Sequence, residues 1–182
     1  MVKGVDVSVW NGDVDYSVLA QNGIQFVMVR IGYGREGIDE KFAQNVAAAH
    51  GVGMKVGGYY YSYAQNTLDA VYEARNCKDI VNASGVLLEL PIFYDLEDQC
   101  IPLQYVTDIA KSFLIELSPL HGGIYATYNW LTNYIDWKSL GCPVWNAEWG
   151  DIDDIQGFMW QYTDNLNING KIFDGDILYQ EV

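Results

Sequence analysis

The chain is poor in basic side chains, in histidine and cysteine, and in long apolar runs. Its 182 residues include 10 lysines and arginines against 24 aspartates and glutamates, which gives a formal net charge of −14. An acidic surface repels nucleic-acid phosphates and anionic headgroups, so we expect neither nucleic acid nor a membrane as a partner. The longest apolar run, residues 86–94, contains Glu89 and Pro91 and is far shorter than the roughly 20 residues that span a bilayer.

The few cysteines and histidines lack the spacing of a metal or nucleophile site. Cys77, Cys100 and Cys142 lie far apart without a C-x-x-C motif, which disfavours structural zinc or a disulfide framework and predicts free thiols. Neither His50 nor His121 has a metal-ligand pattern or a nucleophile elbow near it. The sequence also lacks a G-x-G-x-x-G motif and a P-loop. We therefore expect no metal and no cofactor.

The first residues do not have the pattern of a secretory leader. Residues 1–4 run directly into an alternating strand pattern, without the basic start and long apolar stretch of a signal peptide. We therefore expect synthesis in a cytoplasm, or export by a route that the sequence does not reveal.

Hydrophobic periodicity predicts short strands alternating with helices. Half of the residues are hydrophobic and 14% are aromatic, which excludes a disordered chain and favours one compact domain over residues 1–182. The predicted strands are residues 5–9, 26–31, 55–61, 91–96, 123–127, 143–147, 158–162 and 177–180, and the predicted helices are residues 16–22, 39–50, 68–82, 103–117 and 128–134. Repeated strand-then-helix units imply a parallel sheet covered by helices.

Polar and aromatic side chains recur at the carboxyl ends of these predicted strands along the whole chain. They are Asp6, Ser8, Arg30, Tyr59, Tyr61, Asp95, Glu97, Tyr125, Trp145, Glu148, Trp160, Gln161, Asp174 and Asp176. A closed barrel brings such ends to one face. We therefore expect an α/β barrel rather than an open doubly wound sheet.

The strongest local signal for chemistry is Asp95-Leu96-Glu97 at the end of a buried strand. Residues i and i+2 of a strand point the same way, about 6.6 Å apart, so both carboxyls can face one pocket while Leu96 faces the packing layer. Two close carboxylates repel, so one tends to keep its proton and can donate it to a leaving oxygen, as glycosidic bond cleavage requires. A solvated acidic strand end is the alternative interpretation, and the motif alone does not decide between them.

Two further acidic positions support the same interpretation. Asp6 lies on the polar face of an alternating strand and needs a partner if it is buried. Arg30, at the end of the neighbouring strand, is a candidate, and an Asp6–Arg30 ion pair without chemistry is the alternative. Asp174 and Asp176 form another i, i+2 pair, for which a turn around the intervening glycine is the alternative.

Aromatic side chains cluster at the same strand ends. Their flat apolar faces and polar edges suit sugar rings, although about half of the group is expected to pack in the core. The group comprises Tyr59, Tyr60, Tyr61, Tyr63, Tyr125, Tyr128, Trp145, Trp149, Trp160 and Tyr162.

Taken in order, these motifs resemble the family 25 glycoside hydrolases, the Chalaropsis-type lysozymes common among phage endolysins. The resemblance covers nearly the whole chain, and the combination is specific even though each piece is not. The matching segments are DVSVWNG (6–12), DY (15–16), FVMVR (26–30), Asp39 with Phe42 and Asn45, GGYYY (57–61), DLE (95–97), GIY (123–125), VWNAEW (144–149), WQYT (160–163) and FD (173–174).

The resemblance implies an irregular, flattened, TIM-like β/α barrel with fewer helices than strands. It implies N-acetylmuramidase activity, which hydrolyses the β-1,4 bond from N-acetylmuramic acid to N-acetylglucosamine in peptidoglycan with retention. Glu97 is then the general acid, and Asp95 is either the nucleophile or the group that orients the substrate's 2-acetamido group. Asp6 and Asp174 are further acids of the groove. The residues expected to bind substrate are Tyr59, Tyr61, Arg30, Tyr125, Trp145, Glu148 and Trp160.

The sequence departs from the family pattern at two positions, and the resemblance also implies what the protein binds and where it acts. Tyr60 stands where the family often has histidine, and Asp176 where it commonly has asparagine. Bacterial peptidoglycan is the expected partner, the chain is expected to be a monomer, and its site of action is the cell wall. Many relatives carry a separate wall-binding module, which is expected to be missing from this chain.

Two other functions remain open at this point. The first is a non-catalytic cell-wall carbohydrate-binding protein that keeps the same fold. The second is a hydrolase with the same mechanism that acts on chitin.

Overall fold

The computed structural model describes residues 1–179, which form a closed eight-stranded barrel with helices on its outside. The strands are β1 (Val2–Val7), β2 (Phe26–Tyr33), β3 (Gly37–Ile38), β4 (Lys55–Tyr61), β5 (Ile92–Asp95), β6 (Gly122–Thr127), β7 (Val144–Ala147), β8 (Met159–Ile168) and β9 (Lys171–Leu178). The helices are α1 (Tyr16–Gln21), α2 (Phe42–Gly51), α3 (Thr67–Ser84), α4 (Val106–Leu117), α5 (Tyr128–Asn133) and α6 (Trp137–Leu140). The described residues thus have fewer helices than strands, as expected.

The barrel closes through a parallel pairing of β1 with β2. Around it, the hydrogen-bonded order is β1, β9, β8, β7, β6, β5, β4 and β2, and β3 extends β2 as a short antiparallel addition. Apart from β3, neighbouring strands from β1 through β8 run parallel, whereas β9 is antiparallel to both β1 and β8. This barrel confirms the expected fold class.

The predicted parallel sheet has an antiparallel exception at its last strand. β8 and β9 form a hairpin through Asn169 and Gly170, which both have positive φ and allow the tight turn that such a connection needs. Asp174 and Asp176 therefore lie within a strand and not in a turn. The predicted strand 177–180 begins earlier, at Lys171, and its Gln180 lies outside the described residues.

Alternation along the strands divides the core into two layers. Inside the barrel, Trp145 packs against Phe93 and Tyr125, with ring centroids 5.6 and 4.6 Å apart. Outside, side chains of the opposite strand face pack under the helices, and Tyr94 stacks on Phe113 of α4 at 3.8 Å. The inner layer fills the barrel below the carboxyl ends of the strands. The polar side chains at those ends therefore line the mouth of the barrel.

Local capping explains where several helices begin and end. The Asn66 side chain accepts hydrogen bonds from the backbone of the first turn of α3, and Gly85 ends that helix in the left-handed conformation. Helix α2 begins at Phe42 rather than at the predicted Asp39. The Asp39 carboxylate accepts hydrogen bonds from the backbone of Val9 and Lys41 and from the Arg30 side chain.

The described residues include no helix that is both long and apolar enough to cross a bilayer. All three cysteines are free thiols, with Cys77 buried and the other two partly buried.

Candidate active site

A cleft of about 450 Å³ opens at the carboxyl ends of the parallel strands. It gathers most of the side chains that the sequence placed at strand ends, although they come from positions spread along the chain. The lining residues are Asp6, Ser8, Trp10, Asn11, Arg30, Tyr59, Tyr61, Tyr63, Asp95, Glu97, Tyr125, Trp145, Gln161 and Asp174. This size falls within the range of small-molecule sites in proteins.

Asp95 and Glu97 enter the cleft together from the end of β5. Leu96 between them is completely buried in the outer layer, as the strand alternation predicts. Burial raises the pKa of Asp95 well above its ordinary value, and Glu97 and Asp6 raise it further, while Arg30 lowers it. Glu97 opens to the cleft, yet partial enclosure and the nearby Asp174 also raise the pKa of its carboxyl, against the Tyr125 hydroxyl. Both groups therefore favour the protonated form more than a free carboxyl does.

Asp6 and Asp174 face the same cleft from neighbouring strands. They are paired in the antiparallel register of β1 and β9, which brings two carboxyl groups side by side. Burial raises the pKa of Asp6 well above its ordinary value, and Asp174 and Glu97 add to this effect. Partial burial, together with Asp164, raises the pKa of Asp174. Four carboxyl groups thus line one cleft.

The expected pairing of Arg30 with Asp6 was wrong. Arg30 lines the cleft, but its Nε lies 2.9 Å from Oδ2 of Asp39, and the same oxygen accepts the backbone N–H of Val9 at 2.9 Å. The β3 extension follows β2 and leads the chain back so that Asp39 reaches Arg30. Helical periodicity had placed Asp39 in a first helical turn, so the sequence analysis missed this partner.

Asp6 is instead held by Gln161 of β8. The Gln161 side-chain amide donates to Oδ2 of Asp6 at 2.9 Å. Its carbonyl oxygen accepts hydrogen bonds from the Tyr125 hydroxyl at 3.1 Å and the Trp149 indole at 3.2 Å. Gln161 stands at a predicted strand end, but no role was predicted for it from the sequence. The available signal was its place between the aromatic residues of Trp-Gln-Tyr.

A fifth carboxyl group lies beneath the cleft. Asp176 is completely buried, and its Oδ1 accepts a hydrogen bond from the Trp145 indole at 3.0 Å. Its Oδ2 has no hydrogen-bond partner among the described residues. Burial raises the pKa of Asp176 well above its ordinary value, and Asp6 and Asp174 act in the same direction.

Aromatic rings form the walls and floor of the cleft. Trp145 is buried at the floor, where Tyr59 meets it edge to face with centroids 6.1 Å apart. The Tyr61 hydroxyl donates to Asp98 at 3.2 Å. The cleft is therefore lined by four of the aromatic residues expected there, Tyr59, Tyr61, Tyr125 and Trp145. Tyr60 is instead fully buried in the outer core.

Glu148 and Trp160, which the sequence placed in the substrate groove, are not among the described residues that line the cleft. The Trp160 indole donates to the backbone carbonyl of Glu148 at 2.7 Å. The Glu148 carboxylate accepts hydrogen bonds from Asn146 and from the backbone of Asp154, both at 3.0 Å. These contacts hold the loop that follows β7, so both residues support the wall next to the cleft.

The cleft combines carboxyl groups that can donate a proton with an aromatic-lined space large enough for a sugar ring. A carboxyl group that keeps its proton near neutral pH can protonate a leaving oxygen, while neighbouring carboxylates favour a developing positive charge. Among residues 1–179, no group of three or more histidine, cysteine, aspartate or glutamate side chains has an arrangement that could hold a metal ion.

Comparisons with known proteins match nearly the whole chain. The sequence profile of Glycosyl hydrolases family 25 matches residues 5–171. The chain is 27% identical to the autolytic lysozyme of Clostridium acetobutylicum, covering 97% of this chain and 55% of that protein. It is 25% identical to lysozyme M1 of Streptomyces globisporus, covering 96% of this chain and 66% of that protein.

One solved structure shows the same fold at lower identity. The modular autolysin LytC of Streptococcus pneumoniae, in complex with a synthetic peptidoglycan ligand, superposes with a TM-score of 0.86 at 23% identity. The match covers 98% of this chain and 46% of LytC. The chain thus spans between about half and two thirds of the length of the curated relatives it matches.

Proposed function

The chain belongs to glycosyl hydrolases family 25, and from that premise we propose that it hydrolyses bacterial peptidoglycan as an N-acetylmuramidase. The bond cleaved is the β-1,4 linkage from N-acetylmuramic acid to N-acetylglucosamine. The observation that carries the proposal is the convergence of Asp6, Asp95, Glu97 and Asp174 in one cleft. The curated relatives are lysozymes, and the LytC structure contains a peptidoglycan ligand, which supports the choice of substrate.

Glu97 is the general acid of the proposed reaction. It is open to the cleft, as a proton donor must be, and enclosure together with Asp174 raises the pKa of its carboxyl. It donates its proton to the glycosidic oxygen as the bond to the anomeric carbon breaks. The resulting carboxylate then takes a proton from the water that attacks the anomeric carbon, which restores the acid.

Asp95 acts at the anomeric centre beside Glu97. Its position two residues before the acid suits either direct attack on the anomeric carbon or orientation of the 2-acetamido group for attack by its own oxygen. Both routes pass through two displacements and give retention. Trapping of a covalent glycosyl-enzyme, or turnover of substrates that lack the acetamido group, assigns direct attack to Asp95; failure of both assigns the acetamido route.

Asp6 and Asp174 supply negative charge around the reacting sugar. A glycosidic bond breaks through an oxocarbenium-like transition state, whose positive charge is stabilised by nearby carboxylates. Gln161 donates a hydrogen bond of 2.9 Å to Asp6, so this carboxyl group is positioned before the substrate arrives. Burial and neighbouring carboxyl groups raise the pKa values of Asp6 and Asp174 in the cleft, and a positive charge that develops on the sugar favours their ionised forms.

The test is the identity of the reducing end after digestion of purified peptidoglycan. A muramidase leaves muramic acid at the new reducing ends, which borohydride reduction and mass spectrometry identify. New glucosamine ends, or binding to the wall without new ends, would overturn the proposal. A parallel digestion of chitin separates a chitin hydrolase from a muramidase, because we expect no release from chitin.

Retention is tested separately by proton NMR of the anomeric signals during the first minutes of digestion. We expect the β-anomer to form first and then mutarotate. Initial formation of the α-anomer would show inversion and would remove the two-displacement mechanism.

We also propose that the protein is a monomer that acts on the cell wall after synthesis in a bacterial cytoplasm. Light scattering of the purified chain tests the first statement, and fractionation of expressing cells tests the second. A stable dimer, or retention in the cytoplasm throughout lysis, would contradict the respective statement.

A further inference from the structure

A second cavity of about 460 Å³ opens directly beside the acidic cleft. We call it the aromatic shelf, and it is lined by Val9, Trp10, Arg30, Tyr33, Glu40 and Tyr63. Trp10, Arg30 and Tyr63 line both cavities, so the aromatic shelf continues the cleft in one direction. A ligand that fills the cleft and extends past Arg30 would therefore enter it.

The rings of the aromatic shelf are exposed to solvent to a degree unusual for large aromatic side chains. Trp10 is 85% exposed, and Tyr63 and Tyr33 are 46% and 38% exposed. Tyr63 packs edge to face against Tyr33 and Tyr61, with centroids 6.4 and 5.2 Å apart. Contiguous exposed aromatic surface of this kind marks a binding site more often than a random surface.

The backbone that carries Trp10 is held in place before any ligand binds. Ser8 caps the short turn at residues 9–11 by accepting the Trp10 N–H at 3.2 Å, and the Asn11 side chain accepts the Ser8 N–H at 2.8 Å. The Val9 N–H is bound by Asp39 at 2.9 Å. Because the turn is already fixed, a sugar ring that stacks on Trp10 would have to order only the indole side chain, which keeps the entropic cost of binding low.

The charges of the aromatic shelf select against an anionic ligand. The Arg30 guanidinium lies 5.5 Å from the centre of the Tyr33 ring and is paired with the buried Asp39. Glu40 adds an exposed carboxylate. The aromatic shelf thus has no uncompensated positive charge among the described residues, so its flat faces suit an uncharged ring with an apolar face and polar edges.

We propose that the aromatic shelf binds one further pyranose ring, an uncharged N-acetylglucosamine unit, of the glycan strand that is cleaved in the acidic cleft. This inference rests on the proposed function. It assigns Trp10 and Tyr33 to substrate binding and accounts for aromatic surface that the bond-breaking groups do not use. It also makes the affinity for glycan depend on chain length.

The experiment uses the full chain carrying Glu97→Gln, so that glycan is bound without turnover. Isothermal titration calorimetry measures the Kd of peptide-free glycan strands of alternating N-acetylglucosamine and N-acetylmuramic acid, from tetrasaccharide to octasaccharide. Adding Trp10→Ala is expected to weaken octasaccharide binding about ten-fold, which is within the range for the loss of one aromatic contact, and to weaken tetrasaccharide binding less. Trp10→Phe keeps a ring and should recover most of the octasaccharide affinity.

Tyr105→Ala is the matched control, because Tyr105 is 55% exposed on a turn that does not line either cavity. It should leave the Kd unchanged at every length. A Trp10→Ala penalty of the same size at every length, or no penalty at any length, would overturn the proposal. If the folded Glu97→Gln protein binds no glycan at all, the proposed function fails first, and that result is distinct from a length-independent penalty.

Discussion

Asp176 is completely buried, with its Oδ1 on the Trp145 indole and its Oδ2 without a partner in the described part of the chain. An ionised carboxylate in that place would lack both water and a compensating cation. Burial, Asp6 and Asp174 raise the pKa of Asp176 well above the value of an unfolded aspartate. The folded protein therefore holds a proton here that the unfolded chain releases as the pH rises above about 4.

The sign of this linkage predicts the effect of Asp176→Asn. The pKa of Asp176 is higher in the folded protein than in the unfolded chain. Its contribution to stability is therefore fully present below the unfolded-state pKa and is lost as the pH rises toward the folded-state pKa. The amide is neutral at every pH, so the variant should have a higher Tm than the parent at pH 7.5, by about 2–4 °C per kcal/mol recovered. The difference should shrink toward pH 4.

Thermal unfolding across this pH range measures the effect, and Asp151→Asn, which changes an exposed carboxyl, is the control. A lower Tm for Asp176→Asn at pH 7.5 would show that the native structure uses the charged form of Asp176.

For individual residues, the sequence could predict which carboxyl groups face the cleft but not which hydrogen-bond partners hold them. Strand alternation places Asp95 and Glu97 on one face through local geometry alone. The partner of Asp6 is Gln161, 155 positions away, and that contact depends on closure of the barrel. No local pattern carries such information, which is why Arg30 was assigned to the wrong acid.

Among the elements, strand β4 was predicted with the bounds that the structure shows, and its neighbours differ by a few residues. These parallel strands are β-branched or aromatic runs between clear turn signals. The hairpin of β8 and β9 was not predicted, because its polar residues do not follow a clean alternation. Asn169-Gly170 was the available signal, since this dipeptide favours the two-residue hairpin turn.

Strand β1 offers a test of the inner layer of the barrel. A Cβ added to Gly4 would lie 2.3 Å from the ring of Phe26, which is fully buried inside the barrel. Gly4→Ala should therefore lower the free energy of unfolding by about 1–3 kcal/mol through overpacking. Urea denaturation followed by circular dichroism measures it.

The matched control is Gly51→Ala at the end of α2, where an added Cβ meets nothing within 4 Å. This change should be neutral or stabilise the protein by up to about 1 kcal/mol, because alanine has the higher helix propensity. Equal stability of the Gly4→Ala and Gly51→Ala proteins would contradict the close packing of Gly4 against Phe26.

For the molecule as a whole, the net charge of −14 affects how it approaches an anionic polymer. Bacterial wall polymers are often negatively charged, so long-range electrostatics oppose association at low ionic strength. Salt shortens the Debye length to about 10 Å at 0.1 M, which screens this repulsion. We expect the initial rate of wall lysis to rise between low and moderate salt. Turbidity measurements from 10 to 150 mM NaCl test this, and a steep fall over that range would contradict it.

The role of Glu97 as the general acid is tested by the rate at which Glu97→Gln releases reducing ends from purified peptidoglycan. Loss of the proton donor should lower the rate by about 10²–10⁴-fold, the usual contribution of a general acid, without lowering the Tm. Glu36→Gln, which alters an exposed glutamate between β2 and β3, should retain the parental rate. A folded Glu97→Gln protein that releases reducing ends at the parental rate would contradict the account.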